Sequence, residues 1–259
     1  MLSARFRVSS LAAVCAVLLL AFAAAPAAQA APIITVTQGA GAFAARDTFT
    51  ASLAASVTEN FESFTAGALA KSFATNVGTF SANGAAGTGN CAGKVNNKCE
   101  NLNIRAAGSH ANQGRFNTTP GGKNWLDSND ISEVKWDISS VLFGGKADAF
   151  GFMVMDPSDV GATFKITLVD GSTLTQLLKV DPKISNATLY YVSVISPIAI
   201  SGMSVTFSNS GKQITNDGFG IDDVTLGVVA VPEPSTLVLL GFGLLAMGLI
   251  ARRRPRQAA

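Results

Sequence analysis

Downstream of Val57 the chain alternates between short apolar runs and clusters of Gly, Asn, Asp and Ser. The runs are Ile131 to Ile138, Ala147 to Met155, Ala162 to Val169, Thr173 to Val180, Ala187 to Ile195, Met203 to Ser208 and Phe219 to Leu226, all rich in Val, Ile, Thr, Phe and Tyr. In Phe164-Lys-Ile-Thr-Leu the apolar Phe164, Ile166 and Leu168 fall on one face, as in a half-buried antiparallel strand. Asp170-Gly171 predicts a tight hairpin between two such runs. Seven or more short strands without a strong long helix between them predict an all-β fold, an antiparallel β-sandwich. Residues 31–55 read as an N-terminal extension, in which Phe43, Phe49 and Leu53 fall at helical spacing and predict one short helix. Between Thr79 and Gly122 the Gly/Asn/Ala-rich composition predicts long loops with one or two strands.

Two further apolar runs lie at the ends of the chain and do not follow the strand pattern. At the N-terminus, Arg5 and Arg7 precede the apolar stretch Leu11 to Ala24 and the small-x-small triplet Ala28-Gln29-Ala30, the order of a secretory signal peptide cleaved after Ala30. Such a peptide implies export through the Sec translocon. At the C-terminus, Val231-Pro-Glu-Pro-Ser-Thr leads into the uncharged segment Leu237 to Ala251, followed by Arg252, Arg253 and Arg254. As a helix, Ser235 to Ala251 would span about 25 Å, near the lower limit for crossing a bilayer. The arginines behind it hold the C-terminus on the cytoplasmic side, so the bulk of the chain lies outside. Pro232 and Pro234 keep Glu233 in an extended, accessible stretch. A plain membrane anchor behind a proline-containing linker would share these properties.

This tail resembles the PEP-CTERM sorting signal of Gram-negative bacteria. The resemblance implies recognition at Pro232, Glu233 and Pro234 by exosortase, an integral-membrane cysteine protease, with Arg252, Arg253 and Arg254 as the retention cluster. It also implies an inner-membrane-anchored intermediate that is then delivered to the cell surface, outer envelope or extracellular matrix. The chain thus divides into a signal peptide (1–30), a cargo domain (31–230) and a sorting tail (231–259) with a single transmembrane helix.

Removing the two targeting ends changes the charge balance. The whole chain carries a formal charge of +2, but residues 31–230 hold 13 basic residues against 16 acids. The apparent basicity belongs to the tails, and nothing in the cargo asks for nucleic acid. Its 200 residues suit one domain with one core. Cys91 and Cys99 bracket a Gly/Asn-rich loop of an exported chain, which predicts a disulfide closing that loop. In a chain-entropy account a loop of this size contributes about 2–3 kcal/mol.

Two motifs bracket the predicted strands: Asn60-Phe-Glu-Ser-Phe-Thr-Ala-Gly67 and Asp217-Gly-Phe-Gly-Ile-Asp-Asp-Val-Thr-Leu226. With Ala149-Phe-Gly-Phe152 they look like the jelly-roll cargo domains that precede PEP-CTERM tails and, more loosely, like carbohydrate-binding and MAM-type jelly rolls. That resemblance implies paired first and last strands and a structural calcium held by acids from each end. Glu62, Asp222 and Asp223 are the candidate metal ligands, since calcium takes six to eight hard oxygens. Strand alternation sends adjacent Asp222 and Asp223 to opposite faces, so one aspartate is expected to ligate. Water-facing or capping acids are the competing reading. Asp156 and Asp159 form a second pair, whose Asp-Pro-Ser-Asp sequence is first of all a turn.

Catalytic sets are sparse. His110 is the sole histidine and sits in a loop-like segment, without a Gly-x-Ser-x-Gly elbow. No phosphate loop, zinc helix or Cys-x-x-Cys motif occurs. Among the aromatics, Trp136 alternates with Val134 and Ile138 and is expected in the core, while one of Tyr190 and Tyr191 should face outward. Trp125, after the turn-like Pro120-Gly-Gly-Lys-Asn, is the candidate exposed ring for stacking a sugar. The Asn-x-Thr sequences at Asn117 and Asn186 carry little information. The expectation is a non-enzymatic, structural or adhesive surface protein of exopolysaccharide or biofilm. A carbohydrate-binding module for extracellular polysaccharide is the alternative, and a surface glycoside hydrolase stands third.

Overall fold

The computed structural model describes residues 32–83, 87, 94–107, 114–128, 131–157, 162–169, 171–178, 188–200, 202–209, 218–230, 240–241 and 243–245. Within them the chain is an antiparallel two-sheet sandwich. The strands are β1 (Ile33–Gln38), β2 (Leu53–Glu59), β3 (Gly67–Ala68), β4 (Ser72–Thr75), β5 (Gly78–Ala82), β6 (Asn103–Ala106) and β7 (Asn124–Asp127). They continue as β8 (Glu133–Ile138), β9 (Ala149–Met155), β10 (Ala162–Thr167), β11 (Thr173–Leu178), β12 (Leu189–Ile195), β13 (Ser204–Asn209) and β14 (Gly220–Val229). One α-helix, α1 (Gly41–Ala51), lies between β1 and β2. The larger sheet runs β1-β12-β9-β14-β7-β6-β3, with β2 also paired to β14. The smaller runs β11-β10-β13-β8-β5-β4.

All seven predicted strands are present, with ends shifted by two residues or fewer except at the C-terminal end of β14, which runs three residues further. The β10–β11 hairpin forms at the expected turn, where Gly171 has φ +83 and its N–H donates to the Leu168 carbonyl at 2.9 Å. Phe164 and Ile166 are buried on one face of β10, as their spacing predicts. The span from Thr79 to Gly122 holds most of β5 and all of β6, in line with one or two strands among loops. The first motif follows β2 and the last lies in β14, and these two strands pair from Glu59↔Val224 to Leu53↔Val229.

Between the sheets runs a continuous series of rings. Phe61 meets Phe80 edge-on at 5.8 Å, Phe80 stacks on Trp136 at 5.7 Å, Trp136 meets Phe150 edge-on at 5.5 Å, and Phe152 meets Phe164 at 5.9 Å. Phe80, Trp136, Phe150, Phe152 and Phe164 occupy inward positions of period-two strands, so alternation delivers them to one layer, and Phe61 joins them from the turn after β2. Offset and edge-on pairs of this kind add roughly 0.5–1.5 kcal/mol each beyond their burial. Trp136 is fully buried here, as its alternation with Val134 and Ile138 predicts.

The larger sheet is buried on its outer face as well, which the strand pattern does not announce. α1 has no side-chain cap, and isolated helices of this length are marginal. Packing holds it: Ala42 and Phe49 form a second apolar cluster with Trp125, Met153, Met155, Leu189 and Tyr191. Phe49 lies 6.0 Å from the Tyr191 ring. Both Tyr190 and Tyr191 are therefore buried, one in each layer, and the outward-facing tyrosine expected from alternation is covered by the helix. The extension read at residues 31–55 also supplies a strand, β1, which pairs with β12 from Ile33↔Ile195 to Gln38↔Tyr190.

Among the described residues no helix is long and apolar enough to cross a membrane. Leu240, Gly241 and residues 243–245 are helical, and the rest of the expected span from Leu237 to Ala251 lies outside the described residues. So do the signal peptide through Ala30, the motif at Pro232, Glu233 and Pro234, and Arg252 to Arg254. Truncating Phe150, which touches both Trp136 and Phe152, is expected to cost about 3–5 kcal/mol. Urea unfolding of Phe150→Ala, followed by tryptophan fluorescence, measures that loss.

Candidate functional site

The acids singled out in sequence meet at the middle of β14. That strand pairs with β9 on one side throughout, but its other neighbour changes from β7, at Gly220 and Ile221, to β2, from Val224 onward. Asp222 and Asp223 sit at the changeover. Against β9 the register slips between Asp222↔Met153 and Thr225↔Gly151, so three steps on β14 oppose two on β9. This is a β-bulge, and Asp223 takes up the extra residue with φ 48, a left-handed conformation that aspartate tolerates better than most. The bulge cancels the alternation of side chains. Asp222 and Asp223 consequently turn toward the same strap, residues 117–119, instead of opposite faces as the strand period predicts.

The strap supplies the donors. The Thr118 N–H and Oγ1 donate to Asp222 Oδ2 at 2.7 and 3.0 Å, Thr118 Oγ1 also lies 3.0 Å from Asp223 Oδ2, and Thr119 Oγ1 donates to Asp223 Oδ1 at 2.6 Å. Within the bulge the Asp223 N–H donates to Asp222 Oδ1 at 2.8 Å. From α1, Arg46 Nη1 donates to Asp223 Oδ2 at 2.6 Å and to the Thr118 carbonyl at 2.9 Å, while its Nε reaches Asp47 at 2.9 Å. Burial works against the Arg46 charge, but the carboxylates of Asp223 and Asp47 outweigh it and hold the guanidinium pKa above its usual value.

Among the described residues no cation pairs with Asp222. Burial, and then the neighbouring Asp223 charge, push its pKa up to about 8, against smaller opposing effects of the Thr118 and Asp223 donors. The geometry agrees. The Thr118 hydroxyl has one hydrogen to offer two carboxylates, so the pair is short of donors unless one carboxyl carries a proton.

Glu62 joins the same strap from the far side. Its Oε1 accepts from the N–H groups of Lys123 and Asn124, both at 2.7 Å, and from Asn117 Nδ2 at 3.1 Å. Asn117 Nδ2 also lies 2.7 Å from the Asn124 carbonyl and 3.3 Å from Asp222 Oδ2, which links the two acids through one amide. Gly122 permits the approach, because a Cβ there would stand 2.5 Å from Glu62 Oε1. Glu62, Asp222 and Asp223 are thus brought together, but as acceptors filled by N–H and O–H groups. Among the described residues no group of three or more His, Cys, Asp or Glu is placed to hold a metal ion. A calcium shell of six to eight oxygens does not fit this donor-filled arrangement.

Trp125 is not the exposed ring expected after a turn. It is 1% exposed, on β7 in the cluster beneath α1, because the strap and helix cover that face. Asp156 is buried with φ 52, while Asp159, His110 and Cys91 lie outside the described residues. Cys99 is buried. Beside the acid cluster a groove of about 470 Å3 opens between α1 and the β2–β14 pair. Thr58 and Thr225, their hydroxyls 2.9 Å apart, line it together with Arg46 and Asp223, and none of its lining residues is aromatic. Arg46 and the Asn117-Thr118-Thr119 strap were missed in sequence. The only signal for the strap was the turn-forming run Asn-Thr-Thr-Pro-Gly-Gly, and for Arg46 there was none.

Asp222 releases its proton near pH 8 when folded, against 3.8 when unperturbed. Its contribution to stability is fully present below about pH 4 and is lost as pH rises through about 8. The melting temperature is accordingly expected to fall between about pH 4 and 8 and to level off above, and Asp222→Asn to flatten that fall. Calorimetry of both proteins across this range tests it; equal slopes would place the titrating group elsewhere.

A search of curated proteins finds no match to this chain. Solved structures with some likeness include the C-terminal family 22 carbohydrate binding module of Clostridium thermocellum Xyn10B. It is 12% identical, with a TM-score of 0.31, over 51% of this chain and 85% of that one. A xylan-binding domain of the same module family gives 13% identity and a TM-score of 0.31 over the same shares. The xylanase 10B CBM22-1-GH10 structure complexed with xylohexaose gives 13% and 0.28, over 49% of this chain and 24% of that one. These values are too low to transfer a ligand. At the other end of the chain the match is direct: residues 230–254 are a PEP-CTERM protein-sorting motif, and the protein that carries them is exported.

Proposed function

We propose that this chain is a structural or adhesive protein of a Gram-negative cell surface or extracellular matrix, delivered there by exosortase processing of its tail. The observation that carries this reading is the sorting motif at residues 230–254, which begins directly after β14 ends at Val229. The sandwich is then the cargo, and the motif with its apolar run is the handle removed from it. Sec-dependent export with cleavage after Ala30 and a Cys91–Cys99 bridge belong to the same reading.

A non-catalytic role is favoured by the state of the clustered acids. Glu62, Asp222 and Asp223 are engaged by backbone, hydroxyl and amide donors, and Asp223 also by Arg46, which suits a structural clamp better than acid–base chemistry on a substrate. A carbohydrate-binding module for extracellular polysaccharide is the less favoured reading. The ring expected to stack on a sugar, Trp125, is buried, and the groove beside α1 presents hydroxyls and charges.

Intact-mass analysis of the protein recovered from the cell surface tests the proposal. The expected species begins at Ala31 and lacks Leu237 to Ala259. Recovery of the full C-terminus would make the tail a permanent anchor and sink the exosortase reading.

A further inference from the structure

We infer that β1 is a docking edge for a second copy of this chain, and that two sandwiches join there into one continuous sheet about a two-fold axis. The inference extends the structural reading above but rests on the sandwich, so its failure would leave the processing of the tail untouched.

The larger sheet ends at β1 on one side and at β3 on the other. Among the described residues nothing pairs with the outer side of β1. β3, at the opposite edge, is two residues long, and β2 ends in Glu59 with its Thr58 carbonyl occupied by the Asn76 amide at 3.1 Å. Short strands, charges and covered carbonyls are the usual protection of a sheet edge. β1 has none of these. Its sequence, Ile-Ile-Thr-Val-Thr-Gln, is uncharged, free of proline and glycine, and mostly β-branched, and Ile33 is 63% exposed.

The hydrogen-bond phase of β1 identifies what the edge offers. The Gly39 N–H donates to the Leu189 carbonyl at 2.8 Å, and this pair continues the β1–β12 register of Ile33↔Ile195 to Gln38↔Tyr190. In an antiparallel ladder the direction of the polar groups alternates, so residues 33, 35 and 37 face β12 with Gly39. The N–H and C=O groups of Ile34, Val36 and Gln38 then point away from the sheet.

Those three residues are self-complementary. With Val36 on the two-fold axis, Val36 opposes Val36 of the second copy and Ile34 opposes its Gln38, so every outward N–H and C=O finds a partner. The same register sets Thr35 against Thr37, a β-branched pair of the kind that favours strand pairing. It also sets exposed Ile33 beside Gly39, where there is open space within 4 Å of an added Cβ. No like charges meet anywhere along the seam. An isologous contact sets the same patch against itself, and β1 meets that condition in this register with uncharged, mostly β-branched side chains throughout.

The test uses the exported chain extracted in mild detergent. In the proposed register the two Val36 Cα atoms lie about 5.5 Å apart, within disulfide range, whereas the two Thr35 positions are diagonal and about 7–8 Å apart. Val36→Cys is expected to give a disulfide-linked dimer under oxidising conditions that Thr35→Cys does not. Without any substitution, amide exchange at Ile34, Val36 and Gln38 should slow by about tenfold or more between dilute and concentrated protein. Thr35→Lys should abolish that concentration dependence. Exchange at these three amides that is fast at every concentration, or equal cross-linking from both cysteine variants, would overturn the proposal.

Discussion

The structure turns on β14 having to satisfy three neighbours at once. Its first residues complete a ladder with β7, its last with β2, and Gly220 to Gly227 with β9. A β-bulge against β9 falls at Asp222 and Asp223, beside the point where the other neighbour changes from β7 to β2, and it carries the cost of placing two carboxylates side by side at buried positions.

Most of what surrounds the bulge compensates for that cost. An isolated buried carboxylate is unfavourable by several kcal/mol even after relaxation. Arg46 answers Asp223, the Thr118 and Thr119 hydroxyls and the Thr118 N–H answer what remains, and a raised proton affinity neutralises Asp222 near neutral pH. The same contacts fasten α1 and the 117–119 strap to the larger sheet. That fastening keeps α1 over Trp125 and Tyr191, so the acid cluster contributes to burying the ring expected to stack on a sugar.

Much of the fold was legible because its strands obey a local rule. Phe164 and Ile166, or Val134, Trp136 and Ile138, sit two apart and all turn inward, and the rings among them assemble the central layer. The sorting tail was legible for a different reason: its proline-flanked acid, apolar run and arginines follow one another in the linear order of the motif, which sequence displays directly. α1 was visible only as a loose spacing, since its stability comes from Phe49 meeting Tyr191 across about 140 residues of sequence. The alternation argument failed at Asp222 and Asp223, where one inserted residue reverses the side on which a carboxylate emerges.

The sequence by itself therefore determined that the protein is exported, its all-β class and most residues of the inner layer, all of which rest on periodicity or linear order. Tertiary structure alone decided that the larger sheet is covered on its outer face by α1, that Arg46 and Asn117 to Thr119 belong with Glu62, Asp222 and Asp223, and that β1 is the edge strand of that sheet among the described residues. Each of those outcomes depends on which distant strand lies next to which. Hydrogen-bond register and charge pairing between segments up to 177 residues apart set that arrangement, and neither leaves a local trace in composition or spacing.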